Sequence, residues 1–176
     1  LTVKNSRIAG VKFQAPDGTG RELETQNVVL AVGHSARDTF HQLVLMGLPV
    51  EPKPFSVGVR IEHLQKWLDT VQYGAFAGCP ALGAADYRMA VHLKGGRGVY
   101  TFCMCPGGTV VAAASEEGRL VTNGMSSFAR DGANANSALL VSVGPEDFGG
   151  DGPLAGVEFQ RRLEERAFAL GGGTYR

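Results

Sequence analysis

The sequence predicts an α+β fold with mostly antiparallel strands and about three helices. The chain of 176 residues contains 25 glycines, about twice the usual share, and they stand singly or in pairs between short apolar runs. This spacing is typical of many tight turns between short strands. Three longer segments carry apolar residues at helical spacing instead.

The first 47 residues read as a meander followed by a strand and a helix. Strands are expected at 1–4, at 8–14 and near 22–24, with a turn at 16–20 whose sequence is PDGTG. The apolar run Val28–Val32 predicts a strand buried on both faces. Gly33 ends that run, and a helix over 36–46 follows, with Ser35 and Asp38 spaced as in a capping box.

The middle of the chain alternates in the way strands do. Apolar and polar residues alternate over 55–62, which predicts a half-buried strand, and helical spacing over 63–73 predicts a helix. Residues 74–85 show no periodicity and are expected to be loop. A strand is expected over 86–93, followed by a Gly-Gly hairpin turn at 94–97 and a second strand over 99–103.

The remaining third reads as short strands, a polar loop and a final helix. Pro-Gly-Gly, Glu-Gly and Asn-Gly turns separate strands over 98–126. The amide-rich segment 130–137 is expected to be a loop ahead of a strand at 138–143. A helix at 154–170 begins after Pro153, and Glu158–Arg162 and Arg161–Glu165 are expected to pair along it.

Composition excludes several classes of function. Lys and Arg number 17, as do Asp and Glu, so no net charge favours nucleic acid or an anionic membrane as partner. No apolar stretch is long enough for a membrane helix, and no leading segment resembles a signal peptide. Three unevenly spaced cysteines do not describe a disulfide framework, so a cytoplasmic location is expected.

The turn at Ala31, Val32, Gly33, His34 and Ser35 is the first candidate site. Here a predicted strand ends at a glycine turn, and a helix begins directly after it. In α/β proteins this arrangement brings the backbone close to a bound nucleotide. Many such connections bind nothing, and His34 is equally explained as a ligand contact or as a residue that caps the helix. The residues alone leave both interpretations open.

Cys103 and Cys105 form the second candidate. Residues i and i+2 on a strand face the same side, so both thiols could line one pocket, or both could be structural. Their one-residue spacing does not match a zinc site, and we predict no metal. The loop 130–137 could likewise grip a polar ligand or only form hydrogen-bonded turns. The sequence has no complete catalytic motif, so catalytic residues stay unassigned.

Several motifs, in order along nearly the whole chain, resemble those of one bacterial family. They are Val28–Phe40 (VVLAVGHSARDTF), Lys53–His63 (KPFSVGVRIEH), Tyr100–Gly108 (YTFCMCPGG), Ser115–Gly118 (SEEG), Asn123–Ser126 (NGMS), Ala129–Ser137 (ARDGANANS) and Leu154–Arg161 (LAGVEFQR). The family is that of the uncharacterised FAD-dependent, or NAD(FAD)-utilising, dehydrogenases.

The resemblance implies an internal fragment of a flavoprotein. Residues 1–47 would be a remnant of a Rossmann-type FAD-binding domain, 48–170 an inserted β-rich substrate or cap domain, and 171–176 the start of the return to the FAD domain. The chain's beginning at Leu1, within a predicted strand, agrees with that expectation. The partners would be an unknown small-molecule substrate and the rest of the FAD domain, and self-association through exposed apolar surface stays open.

The resemblance also implies the cofactor and the site. The parent protein would bind FAD through residues 31–35, while this fragment would not retain FAD and would be inactive; NAD(P)H stays open as a further cofactor. Residues from 103–108 and 130–137 would line the flavin-side cleft, namely Cys103, Cys105, Gly107, Gly108, Arg130, Asp131, Asn134 and Asn136. The alternative is a non-enzymatic β-rich module that binds a ligand or a protein.

Overall fold

A computed structural model describes residues 1–175, which form two compact units, Leu1–Ala36 and 37–175. The helices and strands together confirm an α+β fold in which all strand pairs are antiparallel. The boundary between the units lies at residues 36 and 37, whereas the sequence suggested a domain boundary at 47 and 48. The assignment of 1–47 to an FAD-binding domain stays a prediction.

The first unit is the expected meander. Strands β1 (Thr2–Lys4), β2 (Arg7–Gln14) and β3 (Gly20–Glu24) form a sheet in that order. The predicted turn joins β2 to β3: the Ala15 N–H donates to the Thr19 carbonyl at 2.8 Å, and the Asp17 carboxylate accepts the Thr19 N–H at 2.9 Å. Local turn chemistry therefore fixes this hairpin.

The buried strand predicted at Val28–Val32 is wrong for this structure. These residues have no regular secondary structure, and Val29 is 89% exposed. A strand needs a neighbour to accept and donate its backbone hydrogen bonds. Within residues 1–175 no strand pairs with this segment, so its apolar side chains are left in solvent.

The second unit is built on a four-stranded sheet. Its strands are β4 (Phe55–Leu64), β5 (Ala90–His92), β6 (Gly98–Cys105) and β9 (Asn134–Val143), in the order β4-β9-β6-β5. β4 and β9 pair over their full ten residues, from Phe55 opposite Val143 to Leu64 opposite Asn134. A separate hairpin consists of β7 (Gly108–Ala113) and β8 (Val121–Ser126).

Three helices accompany the sheet, as predicted: α1 (Arg37–Leu45), α2 (Gln65–Tyr73) and α3 (Ala155–Leu170). Aromatic packing fixes α3 to the start of β4, because Phe148 stacks on Phe55 with ring centroids 5.0 Å apart and Phe159 closes the group. Phe148 is 1% exposed and is the largest fully buried side chain of the described residues. None of the helices described could span a membrane.

Buried ionic contacts fix α1 to α3. The Arg37 guanidinium is 2% exposed and binds both carboxylate oxygens of Glu164, at 2.6 and 2.9 Å. It also donates to Glu116 at 2.6 Å and to Gln160 at 3.1 Å. A buried guanidinium needs such partners, since an unpaired charge in the interior is very unfavourable.

The pairs predicted along α3 are wrong. Arg161 pairs instead with Glu158, three residues earlier, and with Glu116, while the Arg162 side chain donates to the Phe148 carbonyl. Exposed pairs along one helix contribute only a few tenths of a kcal/mol. Contacts with Glu116 and with the Phe148 carbonyl, which lie outside α3, therefore form in place of the predicted i,i+4 pairs.

Two strands begin at other residues than predicted. β5 starts at Ala90, not 86, because the Met89 N–H bonds to the Thr101 hydroxyl at 2.8 Å rather than continuing a regular ladder. β9 starts at Asn134, within the predicted loop, because its first residues pair with the end of β4. Asn134 and Asn136 are therefore strand residues.

Candidate functional site

The two predicted cleft segments, around Gly107 and around Arg130, meet in the structure. A Cβ on Gly107 would overlap the Arg130 carbonyl oxygen, and a Cβ on Gly132 would overlap the Gly107 carbonyl oxygen. The turn between β6 and β7 thus touches the segment before β9 backbone to backbone. Only glycine permits so close an approach.

Gln65 holds these segments together. This first residue of α2 is 6% exposed, and its side-chain oxygen accepts the Gly107 N–H at 2.8 Å. Its amide nitrogen donates to the Ala85 carbonyl at 3.0 Å and to Asp69 at 2.7 Å, and its backbone N–H donates to Ala133. Every polar group of the buried side chain is therefore satisfied.

Gln65 was not among the predicted site residues. A signal was present, because Gln65 lies three residues before Leu68, the buried apolar residue of α2. A polar residue on the buried side of a helix needs internal hydrogen bonds. The sequence could not show which segments supply them.

A cavity of about 340 Å³ opens beside Gln65. Its lining includes two of the predicted residues, Arg130 and Asp131, together with Lys66, Asp69 and Cys79. Charged groups of both signs thus surround a small space built from α2, the following loop and the 130–133 segment.

Three other predicted residues pack on the other side of the turn. The Arg60 guanidinium donates to the Asn136 side-chain oxygen at 2.6 Å and to the Cys103 carbonyl at 3.1 Å, and it lies 4.0 Å from the Cys105 sulfur. Asn136 is fully buried, and a Cβ on Gly124 would overlap Arg60 and Asn136. The contacts of these side chains are with the protein itself, so Cys105 and Asn136 support the fold.

The two thiols do not share a face. Cys103 has φ = 51° and lies in a β-bulge, where the register of β6 against β9 shifts between Phe102 and Cys105. The extra residue breaks the alternation of side chains, so Cys103 is exposed while Cys105 is buried. Of the two alternatives left open by the sequence, a single pocket lined by both sulfurs is therefore excluded.

Gly108 and Asn134 also lie apart from the cavity lining. A Cβ on Gly108 would meet the Met125 carbonyl and the Ser126 hydroxyl of β8, so this glycine permits the β7–β8 hairpin to close. The Asn134 side chain donates to the carboxylate of Glu62 on the neighbouring strand. Both residues have structural contacts.

The predicted cofactor segment, residues 31–35, belongs to the first compact unit and is exposed along its whole length. Gly33 has φ = 73°, a conformation that side chains disfavour, and no atom lies within 4 Å of the position its Cβ would take. His34 Nε2 lies 3.4 Å from the Ser35 hydroxyl. The role of residues 31–35 in FAD binding stays a prediction.

The ionic cluster around Glu116 lies away from the cavity lining. Hydrogen bonds from Arg161 and then from Arg37 lower the pKa of Glu116 to about 2, although burial opposes them. The hydrogen bond with Glu116 raises the pKa of Arg161, and hydrogen bonds with Glu164 first and then with Glu116 raise the pKa of Arg37. These shifts favour the charged forms of all three residues and indicate a structural ion cluster.

A histidine–tyrosine pair was also missed by the sequence interpretation. His63 is the residue before the last of β4. Its Nε2 lies 3.0 Å from the Tyr87 hydroxyl, and its ring makes an edge-type contact with the ring of Trp67 at 5.8 Å between centroids. Burial raises the pKa of Tyr87, so the phenol stays protonated and can donate to the imidazole.

Comparison with known proteins identifies the family of the chain. A protein of Clostridium beijerinckii described as uncharacterized is 56% identical over 177 residues, which cover 100% of this chain and 32% of that protein. The chain thus spans about a third of the length of the relative it matches. Residues 54–176 match the family model described as "FAD-dependent protein, C-terminal domain-like". The chain belongs to this family of FAD-dependent proteins.

Proposed function

We propose that the chain is an internal part of a longer FAD-dependent oxidoreductase of the dehydrogenase class. The match of residues 54–176 to an FAD-dependent family carries this proposal. The length of the C. beijerinckii relative, of which the chain spans 32%, supports the view that most of the FAD-binding apparatus lies in other segments. The sequence accordingly has no G-x-G-x-x-G motif after a strand.

In this proposal residues 31–35 contact FAD through their backbone. Bound FAD would supply hydride or electron transfer, while the protein supplies binding and orientation. Residues 31–35 are exposed, and no atom lies within 4 Å of the position that a Cβ on Gly33 would take, so a cofactor has room to approach this backbone. Because a side chain at Gly33 would project into that open space, glycine is required there.

The cavity beside Gln65 is the part of the predicted cleft that can hold a small molecule. Arg130 and Asp131 are the predicted residues that line it. Cys105, Gly108 and Asn136 shape the fold behind it, as their contacts indicate. The substrate stays unassigned, and the use of NAD(P)H stays a prediction.

The apolar face of the main sheet is proposed to pack against the rest of the FAD domain. Val59 and Leu139 lie opposite one another on β4 and β9, and they are 64% and 39% exposed. Ile61, on the same face of β4, is 37% exposed. Exposed contiguous apolar surface of this kind marks interaction sites, so an isolated chain would self-associate through it.

A reducing, cytoplasmic location is proposed from the cysteines. Cys79, Cys103 and Cys105 are all free thiols, and Cys103 is exposed. Exposed free thiols are typical of compartments that keep cysteines reduced.

The flavin absorption spectrum of the complete reading frame tests the proposal. The protein purified from that frame should carry about one FAD per chain, whereas the 176-residue chain should carry none. A complete protein that stays colourless after incubation with FAD would contradict the proposed function.

A further inference from the structure

We propose that Asn123 is a site of spontaneous deamidation, at which the next backbone nitrogen attacks the side-chain amide and a carboxylate results. This inference goes beyond the proposed flavin function and does not rest on it. Asn123 is an exposed residue of β8, and Gly124 follows it. The Gly124 N–H donates to the Asn123 side-chain oxygen at 2.9 Å. The attacking nitrogen and the amide that it attacks are therefore already in contact.

This contact places the two reacting groups close to the geometry of the reaction. The carbon that is attacked, Cγ of Asn123, is bonded to the oxygen that accepts the hydrogen bond. Among residues 1–175 the Asn123 side chain makes no other hydrogen bond, so rotation about its Cβ–Cγ bond can turn the face of the carbonyl towards the nitrogen. Proximity of this kind raises the rate of an intramolecular reaction, because little further entropy is lost in bringing the groups together.

The glycine that follows distinguishes Asn123 from the other asparagines of the chain. A side chain on the following residue crowds the five-membered ring that the reaction closes, and Gly124 has no side chain. The other asparagines are all followed by residues that have one, namely Ser6, Val28, Ala135 and Ser137. We therefore expect deamidation at position 123 before any other position.

The reaction consumes only water. The Gly124 nitrogen gives its proton to the solvent and forms a bond with Asn123 Cγ, while the bond from Cγ to Nδ2 breaks and ammonia leaves. Water then opens the resulting succinimide ring. Attack at Cγ gives aspartate, and attack at the main-chain carbonyl carbon gives isoaspartate, in which the backbone runs through the former side chain. Both products carry a negative charge that asparagine lacks.

Isoaspartate at position 123 should disturb the β7–β8 hairpin. Asn123 lies opposite Val111 in that hairpin, and isoaspartate adds one methylene to the backbone of β8 at this point. The next residue has little room to absorb the added length, since a Cβ on Gly124 would overlap Arg60 and Asn136. The aspartate product leaves the backbone as it is and changes only an exposed side chain.

Mass spectrometry of tryptic peptides, after incubation of the 176-residue chain in mildly alkaline buffer, tests the site without flavin. Trypsin releases residues 120–130, in which Asn123 is the single asparagine. A second sample is kept unfolded in guanidinium chloride during the incubation, and a sample taken beforehand corrects for deamidation during digestion. Asn123→Gln is the matched control, because it keeps the amide and the charge but has to close a six-membered ring, which is slower.

We expect the 120–130 peptide to gain the mass difference between OH and NH2 and to separate into aspartate and isoaspartate forms, in a fraction that rises with time. The folded chain should react at least as fast as the unfolded chain, because its reacting groups are in contact. The peptides that contain the other asparagines, and the Asn123→Gln variant, should keep their mass. No gain in the folded chain, a slower gain than in the unfolded chain, or an equal gain in Asn123→Gln would each overturn the proposal. None of these results would bear on flavin binding by the complete protein.

Discussion

Replacement of Glu164 by leucine should destabilise the second compact unit strongly, because it removes two hydrogen bonds from the buried Arg37. The Arg37 and Glu164 side chains are 2% and 8% exposed, and breaking a buried ion pair costs about 3–5 kcal/mol. Arg37 would keep Glu116 at 2.6 Å and Gln160 at 3.1 Å. We therefore expect the lower end of that range, about 3 kcal/mol.

Glu165→Leu is the matched control for this prediction. Glu165 is the next residue of α3, its side chain is 52% exposed, and it pairs with Arg119 at 2.7 Å. An exposed pair contributes at most about 1 kcal/mol, and the two variants change the helix propensity of α3 in the same way.

Urea unfolding followed by the fluorescence of Trp67, the single tryptophan, reports on the unit that contains Glu164. With a slope of about 2 kcal/mol per molar, Glu164→Leu should lower the urea midpoint by about 1.5 M. Glu165→Leu should lower it by less than about 0.5 M. Equal midpoints for the two variants would refute the inference that the Arg37 contacts fix α1 to α3.

Three further outcomes follow from the contacts described. Hydrogen bonds, chiefly from arginines, lower the pKa of both Glu116 and Asp147 to about 2, from ordinary values of 4.5 and 3.8. The contribution of these two carboxylates to the free energy of unfolding should therefore be fully present above pH 4.5 and be lost as the pH falls towards 2. A urea midpoint that is the same at about pH 3 and pH 7 would contradict this. Gly107→Ala should destabilise the chain by about 2 kcal/mol more than Gly118→Ala, since both glycines have positive φ but only Gly107 touches another backbone; equal urea midpoints would count against the contact with Arg130. Sedimentation velocity should show concentration-dependent association of the isolated chain that Val59→Lys reduces, and a monomer at every concentration would exclude association through the apolar sheet face.

The sequence predicted those parts of the fold that local chemistry decides. The turns at 16–20 and 94–97 form as expected, because the residues themselves favour tight turns. The three helices also lie within two residues of the predicted limits. In each of these cases the decisive interactions lie within a few residues along the chain.

Long-range contacts explain what could not be predicted. The apolar run Val28–Val32 has strand composition, yet no strand pairs with it among residues 1–175. The bulge at Cys103 appears only when β6 pairs with β9. Apart from Asp69, the partners of Gln65 and Arg37 lie 20 to 127 residues away, and the local sequence does not indicate them.

The same limit applies to the candidate site. Of the predicted cleft residues, Arg130 and Asp131 line the cavity, and Gly107 supports Arg130. Composition alone could not separate them from Asn134 and Asn136, which are equally polar but belong to β9. Strand pairing with β4, whose residues lie 70 or more positions away, decides between the two roles.

Flavin occupancy of the complete protein carrying Gly33→Ala tests the central claim most directly. Gly47→Ala is the matched control, because Gly33 and Gly47 have φ of 73° and 75° and a Cβ on either would meet no atom within 4 Å. In both variants alanine must adopt the same left-handed backbone conformation, which costs about 1–2 kcal/mol. We predict that Gly33→Ala loses most of its bound FAD, since its methyl group blocks the approach of the cofactor, while Gly47→Ala keeps full occupancy. Full occupancy in Gly33→Ala, or equal losses in the two variants, would contradict the assignment of residues 31–35 to the FAD site.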